Sequence, residues 1–131
     1  MTNIFSKYKF IFYLLNSILI FLYVFPGSVL GWIMYNDLAV QPKISPDFGV
    51  SSNHVMAFFI LSFFGFFTFK KSRFNLKLIA YLIIISILLE ITHNFIPGRG
   101  FRYSDLLGNL LGVFISSIIN FFFKKNEYLN N

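Results

Sequence analysis

Between two long apolar runs the chain gathers side chains able to hold a proton, an anion or a cation. They are Glu90, His93, Arg99, Arg102, Asp105 and Asn109, in the stretch E-I-T-H-N-F-I-P-G-R-G-F-R-Y-S-D-L-L-G-N. On a helix Glu90 shares a face with His93 and Asn94, and Asp105 shares one with Asn109, because residues three and four apart are neighbours. A pair of carboxylates suits general acid–base work, since burial can keep one protonated while the other is ionised. Glu90 and Asp105 are therefore the catalytic candidates. Arg99, and with less certain reach Arg102, sits on the turn joining the two faces, where a guanidinium fork can grip either carboxylate or an anionic ligand. His54 lies far away in sequence, in the first turn of an earlier apolar segment.

Other chemistries are less well served. His54, His93, Glu90 and Asp105 form a nitrogen and oxygen ligand set, but their spacing matches no H-E-x-x-H signature, so no metal is assigned from spacing. The chain has no Cys, which removes thiol nucleophiles, thiolate metal sites and disulfides. It has no G-x-S-x-G elbow, Walker motif or G-x-G-x-x-G loop, and no cofactor is implied. An ion-pair latch between two helices would account for the same residues. Interhelical polar contacts in membranes average only about 0.6 kcal/mol, however, whereas a charge at mid-bilayer costs about 2.5–3.5 kcal/mol on insertion scales. Stability alone is a poor reason to place charges there.

The elements that must position these groups are membrane helices. Of 131 residues 56% are hydrophobic and 12% charged, too apolar for an ordinary soluble domain, and the 20 Phe are spread along the runs. The reading is a single all-α domain, an integral membrane bundle of four transmembrane helices at about 8–27, 50–69, 77–96 and 104–123. A short interfacial helix is expected over Ser28–Tyr35, where Trp32 and Tyr35 suit a membrane boundary. The first span also resembles a secretory signal, but it lacks an A-x-A pattern and is read as uncleaved. Pro97-Gly98 ends the third span and Ser104 is the expected N-cap of the fourth. Gly108 and Gly112 thin that last helix beside Asn109 so that another backbone can approach. Lys124-Lys125 is expected to stop it.

Charge sets the orientation. The formal charge is +6, but the basic residues sit at the ends of apolar runs and form no stripe for nucleic acid. Of the 11 Lys and Arg, eight fall in the N-terminus, the 70–77 connection and the C-terminus. Both termini of this multi-pass cell-membrane protein are therefore expected in the cytoplasm. His54 and the Glu90–Asn109 cluster then share the outer side.

In this order the residues resemble a known family, the VanZ-like membrane proteins. The resemblance rests on His54 opening a span, Glu90-Ile91-Thr92-His93, Pro97-Gly98-Arg99, Ser104-Asp105 and Asn109-Leu110-Leu111-Gly112. It covers segments two to four. The family commonly has Asp-Lys where this chain has Val50 and Ser51, Tyr where it has Phe58, and Gln where it has His93. What the resemblance implies is a membrane protein of the cell envelope, with a link in its founding member to low-level tolerance of teicoplanin, a lipoglycopeptide antibiotic.

The functional expectation is an outward-facing polar pocket of His54, Glu90, His93, Arg99, Asp105 and Asn109. It would bind an anionic lipid or a lipid-linked envelope precursor. One alternative is an intramembrane enzyme acting on a lipid-linked substrate with Glu90 or Asp105 as general base. Another is a structural partner subunit.

Overall fold

A computed structural model describes residues 2–69 and 72–129, with side chains described for 8–69 and 75–126. Among the described residues the chain is all-helical. Helix α1 spans Thr2–Val24, α2 Val29–Tyr35, α3 Ser52–Thr68, α4 Ser72–Thr92 and α5 Tyr103–Leu129. A 3₁₀ turn, His93–Phe95, continues α4.

The apolar runs become helices because nothing inside them interrupts the backbone ladder, and Pro-Gly pairs follow where α1 and α4 stop. α1 ends ahead of Pro26-Gly27, where Gly27 takes φ +108°, and the chain turns by 83° into α2. Ser28 caps α2, its Oγ accepting from Gly31 N at 2.9 Å, and Asn36 closes it in the left-handed region. α2 corresponds to the short helix expected at Ser28–Tyr35. After Pro97, Gly98 takes φ +76°. Such a turn suits glycine, which has no Cβ to clash.

Two expected helix ends are corrected. The backbone N–H groups of Asp105 and Leu106 both donate to Arg102 O, at 3.1 Å each, so Arg102 and not Ser104 occupies the position before α5. Ser104 Oγ turns instead to Asp105 Oδ1 at 3.3 Å. Lys124-Lys125 also does not stop α5, which runs on to Leu129. Lysine is a good helix former, so a basic pair ends an apolar run without ending a helix.

Packing gives each helix a direction. Ser51 N donates to Ser104 O at 3.0 Å, so α3 and α5 start together, and they run parallel as the most extensive helix pair. Thr68 Oγ1 at the end of α3 donates to Tyr8 O in α1 at 3.2 Å, so α1 is antiparallel to α3. α4 runs alongside α1. The α3–α5 seam is tight because α5 carries glycines there. A Cβ on Gly108 would lie 2.8 Å from Ser51 O, and one on Gly112 would lie 2.7 Å from Phe59 N.

The bundle is apolar outside and partly polar inside. Phe10, Leu14, Ile18, Phe21, Ile84, Leu88, Phe114 and Phe121 are exposed, whereas Ser62, Ser86, Glu90 and Asn109 are fully buried. Water would drive the opposite distribution, and lipid permits this one. The segments Asn75–Phe95 and Tyr103–Asn126 are long and apolar enough to cross a membrane, and the bent α1–α2 pair makes a third if it is one span. At 17 residues α3 is shorter.

Candidate functional site

Four helix ends meet at one end of the bundle. The end of α1 brings Tyr23, the first turn of α3 brings His54, the end of α4 brings Glu90 and His93, and the first two turns of α5 bring Asp105 and Asn109. The antiparallel alternation of the helices does this, since each connection on that side is short or folded back.

At the centre is a three-way contact. Tyr23 Oη donates to Asn109 Oδ1 at 2.5 Å, and His54 Nδ1 lies 2.7 Å from Tyr23 Oη and 3.0 Å from Asn109 Oδ1. With its proton on Nδ1, His54 donates to the Asn109 amide oxygen, which only accepts, and Nε2 carries a lone pair. That nitrogen faces Asp105, with Oδ2 at 3.7 Å. The Tyr23 ring stacks on His93, with centroids 5.4 Å apart and planes 17° apart, and meets His54 edge-on.

Glu90 forms the second part. Its side chain is fully buried, and Oε1 accepts from Arg102 N at 2.9 Å and lies 3.4 Å from His93 Nδ1. Two buried atoms of this cluster, Glu90 Oε2 and Asn109 Nδ2, have no hydrogen-bond partner among the described residues. Buried polar groups without partners are rare, and each implies something further at that position. One carboxylate oxygen each from Glu90 and Asp105 and a ring nitrogen of His54 lie within 4.8 Å of one another.

Arg99 takes a role the sequence did not indicate. It forms no ion pair with Glu90 or Asp105. Its Nη2 donates to Leu22 O at 3.2 Å and Gly27 O at 2.5 Å, and Nη1 lies 3.2 Å from His93 Nε2. The guanidinium thus satisfies one carbonyl in the last turn of α1 and one in the turn that follows it. Arg102 projects from the same connection and is exposed. Asn94 ties that connection down, accepting from Phe101 N at 3.0 Å.

Arg99→Gln is expected to destabilise the folded bundle by about 1.5–3 kcal/mol, the usual worth of hydrogen bonds to a charged group. The readout is the unfolding midpoint in detergent micelles. An unchanged midpoint would mean that the two carbonyls do not need the guanidinium.

The six expected site residues fall in one neighbourhood, with Arg99 at its edge. Tyr23 was missed, although it touches three of them. Two cavities, of about 200 and 290 Å³, lie at the opposite end, beside Lys124 and Lys77, and the polar cluster lines neither.

With this geometry in view, comparison with known proteins adds nothing: no family model, curated protein or solved structure matches the chain.

Proposed function

We propose that the chain is a VanZ-like, four-span protein of the cell membrane whose polar end recognises an anionic headgroup of a lipid or lipid-linked envelope precursor. One observation carries this reading. Four helix ends in an apolar bundle converge on buried groups that include an unpartnered donor, Asn109 Nδ2, and an unpartnered acceptor, Glu90 Oε2. A headgroup with both acceptor and hydroxyl functions complements that pair, and exposed Arg102 adds a positive charge at the rim. α3 belongs among the spans because it runs parallel to α5 along the glycine seam. The distribution of Lys and Arg supports cytoplasmic termini and an outward-facing site.

A second reading has its own observation. A buried carboxylate with one free oxygen, beside an imidazole, is the arrangement of a general base, which favours an intramembrane enzyme using Glu90. Glu90→Gln separates the two, since headgroup binding survives the loss of charge and proton transfer does not.

The test of the leading reading uses Trp32, the only tryptophan, as reporter. Short-chain phosphatidylglycerol and phosphatidylcholine are titrated separately into the purified protein in neutral micelles. The anionic lipid is expected to bind about tenfold more tightly, and Arg102→Gln to reduce that preference. Equal titration of both lipids overturns the reading.

A further inference from the structure

We infer that His54, Glu90 and Asp105 form a binding site for one divalent first-row cation, of the Zn²⁺ or Mn²⁺ class. Three observations point the same way. First, the ligand atoms converge from three helices to within 4.8 Å of one another. A cation held at about 2.0–2.2 Å from each would bring them to about 3.3 Å apart, a closure that side-chain rotations supply. The His54 Nε2 to Asp105 Oδ2 separation is already 3.7 Å.

Second, each candidate ligand is held from behind by one atom and free at another. Arg102 N and His93 hold Glu90 Oε1, Ser104 Oγ holds Asp105 Oδ1, and Tyr23 with Asn109 holds His54 Nδ1. Metal-binding imidazoles and carboxylates are oriented in this way by outer-shell partners. Third, Glu90 is fully buried and its Oε2 has no partner. Two carboxylates and a ring nitrogen therefore converge with no Lys or Arg ion-paired to either carboxylate among the described residues, since Arg99 donates to carbonyls and Arg102 is exposed. A divalent cation supplies the missing charge. One imidazole and two carboxylates, without thiolate, suit zinc or manganese over softer ions.

Bound there, the cation keeps open coordination positions for a phosphate oxygen. This last clause rests on the headgroup reading; the cation site does not.

The experiment uses the full chain in detergent micelles, stripped with EDTA and titrated with Mn²⁺, with the resonance of free Mn²⁺ measured by EPR. One ion per chain is expected to bind, and Zn²⁺ to displace it. Glu90→Gln and Asp105→Asn are each expected to weaken binding by at least about tenfold, whereas Asp47→Asn, in an exposed loop pair with Lys43, leaves it unchanged. No uptake by the wild-type chain, or equal affinity in a Glu90→Gln/Asp105→Asn double variant, overturns the site. The wild-type measurement stands whether or not a variant folds. Phosphatidylglycerol titrated with and without Mn²⁺ separates the two proposals. Ion uptake with no gain in lipid affinity retains the cation and removes the bridging role, while lipid preference in EDTA without ion uptake retains the headgroup reading alone.

Discussion

Gly112→Val is expected to force α3 away from α5 and to cost the folded bundle about 3 kcal/mol, the upper end of the range for overpacking. A Cβ at this position would lie 2.7 Å from Phe59 N and 3.1 Å from Phe58 Cβ. The nearest obstacles are backbone atoms of α3, which cannot rotate aside as a flexible side chain can. Relief requires the helices to separate, and separation also carries Asn109 away from His54, one turn along the same seam. The unfolding midpoint in micelles should therefore fall and Mn²⁺ uptake should weaken together. Gly100→Val is the comparison, because a Cβ there meets nothing within 4 Å. A Gly112→Val protein as stable as the parent would mean that the two helices are not in contact along this line.

Asn109→Leu is expected to cost about 1–3 kcal/mol through a different mechanism. The amide oxygen accepts from Tyr23 Oη at 2.5 Å in a site where Asn109 is fully buried. Leucine has similar bulk but no acceptor, so the tyrosine hydroxyl proton is stranded away from water. A stranded buried donor costs about that amount, whereas removing both partners is nearly neutral. The losses from Tyr23→Phe and Asn109→Leu should accordingly not sum in the double variant, because the two side chains share one hydrogen bond and both contact His54 Nδ1, a non-additivity that a double-mutant cycle measures directly. Additive losses would show that the two side chains do not depend on one another.

Much of the candidate site was legible because helical spacing is a strong constraint. Glu90 with His93, and Asp105 with Asn109, could be paired from intervals of three and four alone, and His54 followed from its place at the start of an apolar run. Gly108 and Gly112 were readable for the same reason, as a flat face beside Asn109. Tyr23 was not, since a tyrosine near the end of a span looks like any aromatic at a membrane boundary. The available signal was its position one turn before Pro26-Gly27, at the same level as the other polar groups. Arg99 was misplaced for a more general reason. Its partners Leu22 and Gly27 contribute only carbonyl oxygens, which every residue has and no sequence pattern marks. The helical class was evident from composition. Four complete spans were expected, whereas two helices meet the length and hydropathy needed and a bent pair makes a third. α3 falls short because it starts at Ser52, whose N–H donates to Asp47 in the preceding loop, while Asn53 in its first turn holds that loop at Ile44 N and Pro42 O.

The parallel pairing of α3 with α5 also bears on how the protein is made. The partners in that seam are more than fifty positions apart, and a ribosome releases the earlier one well before the later. Until α5 joins the others, His54 lacks both Asn109 and Asp105, and the face of α3 that the two glycines cover stands open. Assembly of the polar centre then waits on α5, so a chain lacking α5 would lose that centre as well as a strut.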